Sequence, residues 1–257
     1  MRILIAGCGD VGTSLGERLA QKGHEVWGLR RHPEALPAGI RPLAADLSRP
    51  ETLADLPPGL DVLVYAAAAD GFRESAYAAA YEAGVRNCLA ALAAEGQRLR
   101  RVLFTSSTAV YDQTEGEWVD EDSPTTPSHF AGRSKLAGER LVLDGPYPGT
   151  VLRLGGIYGP GRNRLLESVR QGDPCVDRPP VYTNRIHRDD AAGALLHLLE
   201  LDAPAAVYLG VDHDPASQCE VMTWLAGRLD VAPPRRLDAD EAPRRVRGNK
   251  RCSNARL

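Results

Sequence analysis

The residues with the clearest chemical meaning stand at the start of the chain. Gly7-Cys8-Gly9-Asp10-Val11-Gly12 is a G-x-G-x-x-G run between an apolar stretch and a helical pattern. In that context this spacing holds a pyrophosphate. Gly7 permits a tight turn, Gly9 lets the backbone approach the phosphates, and Gly12 lets helix and strand pack closely. Asp10 and Val11 open a helix whose free N–H groups and partial positive charge favour an anion. An acid about 20 residues after the glycines usually holds the ribose 2′-hydroxyl of NAD. Here Leu29-Arg30-Arg31-His32 offers none. Guanidinium groups pair with a phosphate dianion, so Arg30 and Arg31 predict NADP(H), with NAD(H) as the alternative. Asp46-Leu47 can meet an adenine amino group, and Ala66-Ala67-Ala68 leaves room for a cofactor. Cys8 sits where a helix N-terminus acidifies a thiol, but a small residue filling a tight loop is the expected role.

The elements that must position these groups follow from hydrophobic pattern. Residues 2–6, 25–29, 41–45, 61–67, 101–105 and 150–154 read as strands, and residues 11–22 and 131–143 as helices. Tyr77, Tyr81, Val85, Cys88 and Leu92 recur every three or four residues, the spacing of one long helix. Alternating strands and helices give βαβ units and a parallel sheet. Right-handed crossovers then favour an α/β fold with a doubly wound parallel sheet. Residues 1–155 are expected to form the dinucleotide-binding domain. Residues 156–257, richer in Pro and Gly and with helical patterns at 189–201 and 217–229, are expected to form a small substrate-binding part over the sheet's carboxyl edge.

Composition narrows the class. At 257 residues, 43% hydrophobic and 25% charged, the chain reads as a soluble globular protein. A net charge of −3 argues against a general nucleic-acid or membrane partner. The longest apolar run, residues 62–69, falls far short of the roughly 20 residues a spanning helix needs. No signal-peptide pattern opens the chain, so a cytoplasmic location is expected. The five cysteines form no C-x-x-C pair, which predicts neither a disulfide framework nor a metal site. Only three of the 31 basic residues are lysines: Lys22, Lys135 and Lys250. A lysine at a motif position is therefore informative.

The motifs together resemble the extended and atypical short-chain dehydrogenase/reductases of the NAD-dependent epimerase/dehydratase type. The resemblance runs from Ile3 to about residue 225. It rests on the glycine loop, Asp46-Leu47, Ala66-Ala67-Ala68, Gly84-Val85-Arg86-Asn87, the segment Phe104 through Tyr111, Gly132-Arg133-Ser134-Lys135-Leu136-Ala137-Gly138-Glu139, Arg153 through Arg162, and Arg185-Ile186-His187-Arg188-Asp189-Asp190, in that order. It implies a Rossmann domain and a Ser, Tyr and Lys site. Ser107 takes the position that polarises a substrate oxygen, with Ser106 as a neighbour able to share the role. Lys135 takes the position that holds the nicotinamide ribose and lowers the Tyr pKa.

Four residues before Lys135, where the family carries its Tyr, stands Ala131. A methyl group carries no proton, so the chain reads as a branch lacking the usual acid. His129, Tyr111 or a bound water are the candidate replacements, with Tyr158 a weaker one. Gly156 stands where nucleotide-sugar members carry Asn, which argues against such a substrate. Tyr158, Arg162, Arg185 and His187, with Arg164 and Arg188, suggest a small polar, anionic carbonyl or hydroxyl compound. The competing reading is a non-catalytic NADP(H) sensor or scaffold. The resemblance also implies a homodimer through a four-helix bundle of the helices at 77–92 and 131–143. The acidic loop 115–122, with Trp118, reads as a mobile surface loop able to act as a lid. The tail with Arg235, Arg236, Arg244, Arg245, Arg247, Lys250, Arg251 and Arg256 reads equally as a solvated basic segment or an anion site.

Overall fold

A computed structural model describes residues 1–241 and 248–257. The first half alternates as the pattern requires: β1 (Arg2–Ala6), α1 (Asp10–Gln21), β2 (Glu25–Arg30), β3 (Arg41–Ala44), β4 (Val62–Tyr65), α2 (Glu74–Ala78), α3 (Gly84–Ala94), β5 (Arg101–Ser107), β6 (Glu117–Val119), α4 (Phe130–Leu143) and β7 (Gly149–Leu154). The remainder supplies β8 (Gly156–Tyr158), α5 (Arg164–Arg170), β9 (Cys175–Arg178), β10 (Arg185–His187), α6 (Arg188–Glu200), β11 (Val207–Gly210), α7 (Gln218–Leu229), β12 (Arg236–Asp238) and β13 (Lys250–Cys252).

The central sheet has the order β11-β7-β5-β4-β1-β2-β3, with every neighbour parallel. Alternation within β1 shows how it is covered. Ile3 and Ile5 join Leu15 and Leu19 of α1 and Leu195 and Leu198 of α6 on one face. Leu4 and Ala6 join Val85 and Leu92 of α3 and Phe104 of β5 on the other. Both faces are buried, as a parallel sheet requires. The strand order reverses between β1 and β4, so the cleft at their carboxyl ends is the fold's natural ligand site.

Four features depart from the sequence expectations. The helix spanning Tyr77 to Leu92 is broken by a π turn at Ala79–Ala83. Tyr65, buried on β4, donates its hydroxyl to the Ala80 carbonyl at 2.5 Å. A side-chain donor inserted into the backbone ladder is a recognised cause of such a break. The acidic loop is anchored: β6 pairs with β13, and Arg256 reaches Asp122 at 2.6 Å. Of the basic tail, Lys250 is buried and Arg251 half-buried, while Arg235, Arg236 and Arg256 are exposed; Arg244, Arg245 and Arg247 lie outside the described residues. Finally, Cys175 of β9 and Cys219 of α7 form a disulfide, buried beside Val169 and Met222. Their separation of 44 positions hid the pairing from a search for local spacing.

Candidate active site

The glycine loop is built by backbone geometry. Gly7 has φ of +80°, and a Cβ there would lie 2.3 Å from the Ala67 Cα. Gly9 has nothing nearer to such an atom than the Gly7 carbonyl at 3.9 Å, so its outer side is open to a ligand. Val11 and Gly12 are buried, and a Cβ on Gly12 would press Ile5 at 3.0 Å. Cys8 is fully buried, and burial raises its thiol pKa; it is a packing residue.

Gly7, Gly9, Arg30, Arg31, Asp46, Leu47, Ala67 and Ala68 line one cavity of about 320 Å3. Ala66 packs against the core instead. Asp46 accepts from the Ser48 hydroxyl at 2.7 Å and the Ser48 N–H at 2.9 Å, and these bonds hold its carboxyl below the usual range. Asn87 donates to the Leu47 carbonyl at 3.0 Å and fixes that loop. The open side of Gly9 and the first N–H groups of α1 fit the phosphate-binding turn of a dinucleotide site.

Two contacts at this end escaped the sequence reading. Asp70, after β4, takes Arg31 in a bidentate pair at 2.6 and 2.8 Å across the cavity. Asp10 points away from the cavity toward the later part of the chain, meeting Arg162 at 2.6 Å and Arg188 at 3.3 Å. No local spacing announces either contact, since Arg162 and Asp10 are 152 residues apart.

At the other end, α4 is fixed to the sheet by a buried network. Glu139 and Arg153 pair at 2.8 Å with side chains only 2% and 6% exposed. Ser106 donates to the same carboxylate at 2.5 Å. Arg153 donates to the Tyr111 hydroxyl at 2.7 Å, and that hydroxyl donates to the Asp120 carbonyl at 2.7 Å. Two candidates are thereby corrected. Ser106 is buried and committed to Glu139. Tyr111 is buried and its hydroxyl doubly bonded, and burial pushes its pKa up to about 12. Neither reaches the cleft.

Ser107, at the end of β5, is half-buried. Its oxygen accepts from the Ala109 N–H at 3.2 Å, which leaves its proton to donate. His129 caps α4 by accepting the Ala131 N–H on Nδ1 at 3.3 Å, and its ring stacks on Phe72 at 5.3 Å. Accepting at Nδ1 requires the neutral imidazole with its proton on Nε2. His187 caps α6 in the same way through Asp189, at 3.2 Å, and packs edge-on against Tyr158 at 5.3 Å. Lys135 lies half-buried with its ammonium 3.9 Å from the centre of the Tyr81 ring.

A second cavity, of about 910 Å3, adjoins the later part of the chain. Tyr158, Arg162, Arg164, Arg185 and Lys250 line it, against the single acid Glu167. It thus gathers the sequence-predicted Tyr158, Arg162 and Arg185, and adds Lys250 from the tail. His187 is not on its wall.

A doubly wound sheet with a glycine cradle at its switch point defines a nicotinamide-dinucleotide enzyme of the oxidoreductase and epimerase type. The chain belongs to the NAD-dependent epimerase/dehydratase family, whose model matches residues 3–208. It is 41% identical to a structure from Methylobacillus flagellatus described as an NAD-dependent epimerase/dehydratase, with a TM-score of 0.80 over 99% of this chain and 89% of that one. It is 29% identical to a 3-diazoavenalumate denitrifying reductase of a Streptomyces species, over 95% of this chain and 86% of the relative. A quinoline-oxide ketoreductase of Stigmatella aurantiaca is also 29% identical, over 88% of this chain and 72% of the relative. Among the described residues no helix is long and apolar enough to cross a membrane, and no cluster of His, Cys, Asp or Glu has a metal-binding arrangement.

Proposed function

We propose that the protein is an NADP(H)-preferring oxidoreductase that interconverts a carbonyl and a hydroxyl on a small anionic compound. The observation that carries this reading is the cationic cavity, four basic side chains against one acid, joined to the glycine loop through the Arg162–Asp10 pair. The dinucleotide, when bound, supplies or accepts a hydride. The chain's part is to polarise the reacting oxygen with the Ser107 hydroxyl, hold the ribose with Lys135, and neutralise a carboxylate or phosphate with Arg164 and Arg185. Arg30 and Arg31 favour the 2′-phosphate. Reductase names among the relatives support the direction of the chemistry, and the residues after 156 serve as the substrate-binding part.

The test is NADPH oxidation against matched carbonyl compounds with and without an anionic group. The anionic set should turn over preferentially. Arg164→Ala or Arg185→Ala should lower kcat/KM by about 10- to 100-fold, the worth of a hydrogen bond to a charged group. Equal turnover of neutral analogues, with both variants unaffected, would contradict the substrate class. Ala131 favours a second reading, a non-catalytic NADP(H) sensor; it predicts cofactor binding with no turnover of any carbonyl.

A further inference from the structure

We propose that the Lys135 amine is itself the proton carrier of this site, in place of the phenol that Ala131 lacks. This inference rests on the reading of the cleft as one that reduces carbonyls. Geometry carries it in three steps.

The first step is placement. Glu139 bonds Ser106 near the end of β5. A helix packed antiparallel to that strand carries the residue one turn earlier toward the strand's carboxyl end, where Ser107 stands. Lys135 is that residue. A further turn on, Ala131 is small and buried, so no ring stands at that position. Close contact is maintained there, since a Cβ on Gly132 would lie 2.3 Å from the Ala109 carbonyl.

The second step is commitment. No acceptor among the described residues takes a hydrogen bond from Lys135; its partner is the face of Tyr81. With no lone-pair acceptor engaged, N–H groups that do not face the ring remain available to a ribose hydroxyl and to a reacting oxygen. The rival phenols are poorly placed as acids. Tyr111 is bonded twice, and Tyr81, which accepts from the Ala69 N–H and keeps its proton, has its pKa pushed up to about 12 by burial. His129 spends its Nδ1 on the cap of α4 and its ring stacks on Phe72.

The third step is electrostatic. Burial draws the Lys135 pKa down to about 7, against an opposing pull from Glu139. Elements packed around α4 also carry Glu74, Tyr77, Tyr81 and Glu82 at 74–83, Arg86 and Cys88 on α3, and Arg153 on β7. Glu74 is paired with Arg133 and Arg153 with Glu139; the carboxylate that acts on the ammonium is Glu139, and burial outweighs it. In reduction, the carbonyl carbon gains a hydride, which the reduced dinucleotide would supply on its own oxidation, while its oxygen takes a proton from the Lys135 ammonium, through the Ser107 hydroxyl or directly. The resulting amine regains its proton from solvent.

The chain's three lysines make the test clean. Full-length protein is acetylated competitively with limiting acetic anhydride across neutral to alkaline pH, and each lysine is read by mass spectrometry. At neutral pH Lys135 should react at least about tenfold faster than exposed Lys22, because only a neutral amine attacks. NADP+ should protect it. Equal or slower labelling than Lys22 overturns the proposal whether or not a substrate is in hand, so it is separable from failure of the functional reading, which would appear as absent turnover alone. With a carbonyl substrate, the reduction rate should fall as pH rises through about 7. Lys135→Arg keeps a cation for the ribose but cannot release its proton. It should lose about 100-fold in kcat, with cofactor Kd changed less than about fivefold. Retention of kcat within about tenfold overturns the proposal, as does a gain of more than about tenfold on Ala131→Tyr, which would show that the site wanted a phenol.

Discussion

The two ends of the cleft are made of different material. At the glycine loop the decisive features belong to the backbone: a left-handed Gly7, an open Gly9 and the first N–H groups of α1. At α4 they belong to side chains, the Glu139–Arg153 pair with Ser106 and Tyr111 folded into it. A backbone cradle tolerates changes in the side chains around it. A side-chain network ties each member to the others, so Ser106 and Tyr111 are held in it and away from other partners.

Removing one partner of the buried pair should produce the largest effect. Glu139→Ala leaves Arg153 charged and unpaired in the interior, at a cost of about 3–5 kcal/mol, measurable by urea unfolding. Below its unfolding transition the variant should still bind the dinucleotide, because nothing at the glycine loop touches Glu139. Loss of both together would erase the distinction between the ends. Gly7→Val is the converse. A side chain at φ +80°, driven into the Ala67 backbone, should weaken dinucleotide binding by about 100-fold or more, some 2.8 kcal/mol, and leave Lys135 labelling intact.

Asp70→Asn probes the Arg31–Asp70 ion pair across the cofactor cavity. Freed from its carboxylate, Arg31 should bind a 2′-phosphate better, raising NADP+ affinity by about three- to tenfold with NAD+ nearly unchanged. An equal change in both would remove Arg31 from selectivity. Stability against pH offers an independent check at the α4 end. With the folded-state pKa of Lys135 depressed to about 7, the unfolded chain binds the extra proton above that value, so stability should rise with pH from about 7 toward 10. Lys135→Met should flatten that part of the profile, as read by chemical denaturation at several pH values.

The same division explains what the sequence revealed. The cradle, the strands and the helices that carry Asp46, Ser107 and Lys135 are local patterns, and their positions could be read from spacing alone. The contacts that reassigned Tyr111 and Ser106 join residues 42 and 33 positions apart. The β6–β13 pairing that turned an expected lid into an anchored strand spans more than half the chain. The π turn in the long helix depends on a hydroxyl delivered by a different strand. Arg31 was visible, but its partner Asp70 was not, because Asp70 reaches it only once β2 and β4 flank β1. Glu139 and Arg153 both stood within the quoted motifs, yet only the packed sheet shows that they hold α4 in place.

Equilibrium calorimetry of the full chain with NADP+ and with NAD+ tests the central claim most directly. A retained cradle with two arginines at the end of β2 predicts one dinucleotide bound per chain, and NADP+ the tighter by about tenfold or more. Equal or tighter binding of NAD+ would contradict the assignment of Arg30 and Arg31, and no binding of either would contradict the cofactor site itself.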